Sequence, residues 1–324
     1  MIIGVLGPEG SYSEKAAKTL VLKCGLVGSE LRYFDDIEDA FTAAAEGKAD
    51  IAVVPVENSI EGSVGVTLDL LLEKAAVIVG EVVVKIEHCL LSKGGPEKVK
   101  VILSHPQGLA QCRHFLKRHF PEAELRSTGS TSHAARLARD FEEMAAIAAP
   151  EAAERYGLNI LVSNIQDRKE NHTRFIVVQA EGPGERGLQG SGSGLRDSGS
   201  GLNYSGSCLK DSGSGLQVYG HGLQESGSPA CGPSKTSLIV YLEKDRPGAL
   251  YELLGVFAKR GINLTRIESR PSKKELGDYY FYIDFEGHTS DALIKDALED
   301  IKGKADMLKV LGSYPAFKNP GLEA

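Results

Sequence analysis

Cysteine is scarce and shows no pairing pattern. The five present, Cys24, Cys89, Cys112, Cys208 and Cys231, are odd in number and contain no CxxC spacing. That argues against a disulfide framework or a thiolate zinc site and fits reduced thiols in the cytoplasm. No apolar run approaches the ~20 residues needed to span a bilayer, so no membrane partner is expected. The chain opens Met1-Ile2-Ile3-Gly4, directly into a strand. Without a basic segment leading into an apolar one, no export signal is read, and a cytoplasmic location is expected. Positive charge is not in excess either: 37 Lys and Arg face 44 Asp and Glu, for a net charge of −7. A nucleic-acid partner would need a basic face, whereas a small anionic substrate needs only local donors. The GxSxG elbow, the HExxH pair and the P-loop are all missing, and the histidines show no metal spacing. Gly4, Gly7 and Gly10 read GxxGxxG instead of GxGxxG, which argues against a dinucleotide site.

What remains divides the chain. Residues 1 to 180 alternate β-branched runs (Ile2–Leu6, Ile51–Val54, Val77–Val84, Val99–Leu103, Ala145–Ala149, Ile160–Val162, Phe175–Val178) with helical segments. Those helices fall near Tyr12–Cys24, Ile37–Glu46, Val64–Glu73, Pro106–His119, Thr131–Glu143 and Pro150–Tyr156. The alternation predicts an α/β domain with a mainly parallel sheet. Residues 181–234 hold a seven-residue repeat with Leu188, Leu195, Leu202, Leu209, Leu216 and Leu223 in phase. The rest of each unit is Gly and Ser, and each Gly costs a helix ~1 kcal/mol relative to Ala. A flexible, disordered linker is therefore expected there. Residues 235–315 read strand, helix, strand, strand, helix, strand, a ferredoxin-like βαββαβ order, and 316–324 is a tail.

Polar helix starts are the chemical signal. Gly7-Pro8-Glu9-Gly10-Ser11-Tyr12-Ser13-Glu14 turns from a strand into a helix with Ser as the cap. Pro55-Val56-Glu57-Asn58-Ser59, Ser104-His105-Pro106-Gln107 and Ser130-Thr131-Ser132 follow the same plan. Each puts hydroxyls or amides at the carboxyl end of a strand, where open α/β sheets hold ligands and free N–H groups attract anions. Arg174, in Asn171-His172-Thr173-Arg174-Phe175, suits either a carboxylate ligand or a salt bridge to a neighbouring lobe.

The segments GPEGSYSE (7–14), PVENSIEG (55–62), SHPQGLAQC (104–112), STSHAA (130–135) and NHTRF (171–175) resemble prephenate dehydratase in order and spacing. DRPGALY (245–251) and ESRP (268–271) resemble that family's C-terminal ACT regulatory domain. The long 182–233 insert departs from the family, whose members join the two domains by a few residues. The resemblance implies a two-lobed, periplasmic-binding-protein-like catalytic domain with the site in the cleft. One lobe would hold residues 1 to about 75 with the returning 160–180, and the other roughly 76–158. It implies decarboxylating dehydration of prephenate to phenylpyruvate without metal or cofactor, feedback inhibition by phenylalanine, and a homodimer or homotetramer.

By the same resemblance Thr173 serves the leaving hydroxyl, with Glu57 or His105 as the proton donor. Ser11, Asn58, Ser59, Gln107, Ser130, Thr131, Asn171 and Arg174 would position the substrate, and Phe175 would pack the cleft wall. Phenylalanine would meet Asp245, Pro247, Gly248, Ala249, Leu250, Asn263, Leu264, Glu268, Ser269, Arg270 and Pro271. Arogenate dehydration and a non-catalytic amino-acid-sensing binding protein are the alternatives.

Overall fold

Two sheets, each with its own core, form the first 180 residues. The computed structural model describes residues 1–182, 233–242, 247–273 and 277–317, with the backbone of strands 208–210 and 217–219. Chain order is β1 (Ile2–Leu6), α1 (Tyr12–Cys24), β2 (Glu30–Phe34), α2 (Ile37–Ala45), β3 (Ile51–Asn58), β4 (Gly62–Ser63), α3 (Gly65–Glu73) and β5 (Ala76–Lys85). The chain then crosses to β6 (Cys89–Ser92), β7 (Val101–Ser104), α4 (Pro106–Gln111), α5 (Arg113–His119), β8 (Glu124–Ser127), α6 (Thr131–Ala138), β9 (Met144–Ala148), α7 (Glu151–Tyr156) and β10 (Asn159–Val162). It returns as β11 (His172–Ala180).

The first sheet runs β2-β1-β3-β11-β5 and the second β10-β6-β9-β7-β8. Two crossovers, 86–88 and 163–171, join the lobes, the two-lobed arrangement expected from the resemblance. The lobe boundary therefore falls after β5 and not near residue 75, because β5 pairs along its length with β11. Nor is either sheet mainly parallel. Returning strand β11 is antiparallel to β3 and β5, and β6 is antiparallel to β9 and β10. The predicted helix 106–119 breaks into α4 and α5 at Cys112.

The repeat lies largely outside the described residues; within it, β12 (Cys208–Lys210) pairs antiparallel with β13 (Gln217–Tyr219). The C-terminal domain has β14 (Ser234–Tyr241), α8 (Ala249–Lys259), β15 (Leu264–Pro271), β16 (Tyr279–Glu286), α9 (Ala292–Lys302) and β17 (Met307–Pro315). Its sheet order β15-β16-β14-β17 is that of a ferredoxin-like sandwich. Helices α8 and α9 cover one sheet face through Leu253, Phe257, Ile294 and Ile301.

The other sheet face sits on the first lobe. Ile239, Tyr282, Leu311 and Tyr314 share one buried cluster with Val54, Leu68, Ile78 and Ile176. Burying such apolar side chains contributes ~1.5–3 kcal/mol each. Gly312, at φ 143°, passes so close to the Ile78 carbonyl that a Cβ would overlap it. Lys309 Nζ donates to the carbonyls of Leu71 (2.8 Å) and Lys74 (2.8 Å), satisfying the end of α3.

Candidate active site

The cleft is built from strand ends and helix starts of both lobes. In the first lobe Ser11 caps α1, accepting from Glu14 N–H at 3.2 Å and donating to the Leu6 carbonyl at 3.1 Å. The turn before it rests on the second lobe, where Tyr156 donates to the Glu9 carbonyl at 2.8 Å and Lys15 pairs with Glu151 at 2.6 Å. In the second lobe His105 Nδ1 caps α4 by accepting from Gln107 N–H at 3.3 Å. Ser130 caps α6, accepting from His133 N–H at 3.0 Å. Gly108 keeps the two helix starts close, since a Cβ there would meet Ser104 Oγ and Thr131 Cγ2. Among the described residues the Gln107 side-chain amide and the Thr131 hydroxyl make no hydrogen bond, so both are available to a ligand.

Thr173 and Asn58 face each other as a cross-strand pair of β11 and β3. Asn58 Nδ2 donates to Thr173 Oγ1 at 2.9 Å and to Asn171 Oδ1 at 2.8 Å. Its own Oδ1 accepts from Ile60 N–H (3.0 Å) and Glu61 N–H (3.1 Å), which fixes the amide's orientation. Asn171 Nδ2 donates to Gln111 Oε1 at 2.9 Å, carrying the network across to α4 of the other lobe. Gln111 Nε2 lies 3.4 Å from Glu61 Oε1. Ser59 Oγ accepts from His172 N–H at 2.9 Å and so fastens β11 where it starts. Because Thr173 Oγ1 accepts from Asn58, its own proton is left for an outside acceptor.

Some predicted site residues lie elsewhere. Arg174 is on the opposite face of β11, bound to Asp284 (2.7 Å), Glu57 (3.0 Å) and Glu81 (3.3 Å). Burial works against its charge, but Asp284, Tyr314, Glu81 and Glu57 raise the guanidinium pKa above its ordinary range. Of the two roles open to Arg174, the structure gives it the ion pair, here to the C-terminal domain. Glu57 is committed with it and is also 3.6 Å from Arg266 Nε, so this carboxylate is no proton donor beside Thr173. The period of two along a strand separates them: neighbours of Thr173 and Asn58 point away from the cleft. Phe175 is buried with Val5, Val82 and Val84 in the first lobe's core, which corrects its assignment to the cleft wall.

Gln111 and His88 complete the network, and no local pattern marks either of them. Gln111 lies inside the quoted segment 104–112, but its partner Asn171 is 60 positions away. His88 Nε2 is 3.0 Å from Gln111 Oε1, and burial lowers its pKa.

In the C-terminal domain Asp245 lies outside the described residues. Gly248 begins α8 at φ 90°, a left-handed turn suited to glycine, with Pro247, Gly248 and Leu250 exposed and Ala249 half-buried. Asn263 Nδ2 donates to Glu286 at 3.1 Å, and Leu264 packs at the domain core. Strand β15 splits its segment. Glu268 binds Arg266 (2.6 Å) and Ser63, and Arg270 binds Asp69 (2.9 Å), all on the first lobe's side. Ser269 and Pro271 are exposed.

The prephenate dehydratase family profile matches residues 3–183, and the ACT domain profile matches residues 236–303. The prephenate dehydratase of Methanocaldococcus jannaschii is 36% identical over 315 residues, covering 96% of each chain. A prephenate dehydratase from Arthrobacter aurescens, solved in complex with L-Phe, superposes with a TM-score of 0.74 at 31% identity, over 99% of this chain and 93% of that one. A solved quorum-quenching acylase gives a TM-score of 0.73 at 27% identity, over 98% of both chains.

Proposed function

Because the chain belongs to the prephenate dehydratase family, we propose that the hydroxyl–amide network at the interlobe cleft is its dehydration site. The reaction converts prephenate to phenylpyruvate with loss of carbon dioxide and water, and the enzyme is a hydro-lyase. The ring hydroxyl and ring carboxylate leave together, and aromatisation drives the step. The protein must supply a donor to the departing hydroxyl, hold the carboxylates and exclude water.

The observation that carries the reading is the Asn58 to Thr173 hydrogen bond of 2.9 Å, which leaves the threonine proton for the leaving hydroxyl. A threonine hydroxyl does not ionise near neutrality, so Thr173 donates and orients without giving up its proton. Of the two candidates for proton delivery His105 remains, and its Nδ1 accepts from Gln107 N–H. In that state the ring is neutral and its Nε2–H can orient a group by hydrogen bonding; delivering a proton would first require Nδ1 to release Gln107 and take up a proton. Two substrate carboxylates suit neutral donors and helix starts, and Gln107, Ser130 and Thr131 supply them. Ser11 and Ser59 direct their hydroxyl protons to the Leu6 and Glu170 carbonyls and shape the strand ends instead.

The ACT domain and the L-Phe complex of the Arthrobacter aurescens relative support feedback inhibition by phenylalanine at the C-terminal domain. Exposed Gly248 and Leu250 and the outer residues Ser269 and Pro271 fit a ligand held between two such domains, hence a homodimer or homotetramer. Among the described residues no helix is long and apolar enough to cross a membrane. With reduced cysteines and biosynthetic relatives, the cytoplasm is the proposed location.

The test is phenylpyruvate formation by the full chain, compared with phenylalanine formation from arogenate. A kcat/KM for prephenate at least ~10-fold above arogenate supports the reading. Preference for arogenate would reassign the substrate, and turnover of neither would refute dehydration on this acylase-sharing fold.

A further inference from the structure

His88 stands where the two crossovers meet, with 3% of its surface exposed. Its N–H donates to Gln166 Oε1 at 3.0 Å, and its carbonyl accepts from Ile165 N–H at 2.9 Å, so each crossover holds the other. The ring meets Tyr12 edge-on at 6.0 Å between centroids. Tyr12 spends its proton on the Glu87 carbonyl at 2.6 Å and lies 3.5 Å from His88 Nδ1.

The tautomer follows from backbone groups at the far end of the network. Two N–H groups, of Ile60 and Glu61, require the atom they meet on Asn58 to be oxygen. Asn58 nitrogen must then face Asn171 oxygen, and Asn171 nitrogen must face Gln111 oxygen. An oxygen facing His88 Nε2 at 3.0 Å requires that nitrogen to carry the proton. Burial keeps the ring neutral, in agreement.

We propose that His88 is a positioning residue for dehydration: its neutral Nε2–H, together with Asn171, clamps Gln111 Oε1. The clamp keeps Gln111 Nε2 directed at Glu61 across the lobes and, through the Gln111–Asn171 bond, holds Asn171 in place beside Asn58 and Thr173. Two donors converging on one oxygen leave the amide a single orientation. With His88 removed, Gln111 keeps only the Asn171 donor and can turn about that bond, and Asn171 loses a fixed partner, while Asn58 stays held by the Ile60 and Glu61 N–H groups. This rests on the Thr173 reading above.

The experiment is a double-mutant cycle in the full chain, measuring kcat and KM for prephenate with thermal melting as a control. His88→Leu should lower kcat ~10–10²-fold with little change in KM, the scale of a displaced catalytic group. His88→Gln keeps an N–H donor and should recover most of the loss. Combined with Thr173→Ala, His88→Leu should add almost nothing further, because both act within one network. If His88→Leu does not fold, His88→Met takes its place. A crippled Thr173→Ala beside a normal His88→Leu overturns the proposal. So do losses that multiply, or a His88→Gln variant as impaired as His88→Leu at equal melting temperature. A normal Thr173→Ala refutes the Thr173 reading instead, and the proposal falls with it.

Discussion

Strands β3 and β11 carry opposite chemistries back to back. The Thr173 and Asn58 rung bears a neutral network of hydroxyl and amides toward the cleft. One rung on, Arg174 and Glu57 point to the C-terminal domain and join Glu81, Asp284 and Lys235 in an ionic cluster. Neutral donors can wait beside an open cleft at little cost, and a dianionic substrate then brings the charge. A buried cation has no such freedom, because an unpaired one costs several kcal/mol, so Arg174 is enclosed by carboxylates from two domains. The contrast teaches that adjacent residues of one motif serve chemistry and domain docking separately.

The contrast breaks most visibly at Thr173. Thr173→Ala should reduce kcat by ~10²–10⁴-fold while KM moves far less, since the carboxylate contacts lie elsewhere. Steady-state prephenate kinetics decide it, and a variant within a few-fold of the parent would remove the cleft face from catalysis. Arg174→Lys should act on the other face. A point charge cannot meet three carboxylates as a planar fork does, so unfolding stability should fall by ~1–3 kcal/mol with KM nearly unchanged. A raised KM at unaltered stability would return Arg174 to the substrate.

Much of this was legible in the residues, and the limit is instructive. Caps such as Ser11 and Ser130 declare themselves because a helix start is a local event. The face of Arg174 is not local: it depends on Asp284, which is 110 positions away. Likewise His88 sits alone in its sequence context, and its partner Gln111 becomes visible only once two lobes meet. The short strands β2 and β8 are hard to see in the residues because each is too brief to make a run: in β2 only Leu31 and Tyr33 alternate with Glu30 and Arg32, and β8 offers only Leu125. Nothing local tells which lobe holds strand β5, since its partner β11 returns from beyond the second lobe.

A smaller effect concerns pH. Burial lowers the His88 pKa below its ordinary 6.5, and the Gln111 hydrogen bond offsets this in part. The unfolded chain therefore binds a proton that the folded chain refuses. Its stabilising contribution is complete above about pH 6.5 and is lost as pH falls from there toward the depressed folded value. Denaturant unfolding near pH 7.5 and near pH 5.5 should show less of this acid sensitivity in His88→Gln. An unchanged difference would mean that the ring is charged in the folded state or shares its titration.

The smallest expected effect is none at all, and it tests whether the ionic face couples the domains. Inhibition at a distance requires phenylalanine to favour one of two global states. The composition of residues 182–233, rich in Gly and Ser, is that of a sequence expected to transmit little mechanical bias. The domain interface does not depend on that segment: Arg174 meets Asp284, Arg270 meets Asp69, Lys309 caps α3 and Tyr282 donates to the Leu68 carbonyl at 2.9 Å. Deleting residues 188–223 leaves 183–187 and 224–232 to join the domains. That chain extends to roughly 45–50 Å, enough to cross one sheet. Phenylalanine inhibition curves should therefore coincide for the full and shortened proteins, with equal uninhibited turnover. If inhibition disappears while calorimetry still records phenylalanine binding, the leucine repeat is itself the coupling contact and the ionic face only docks the domain.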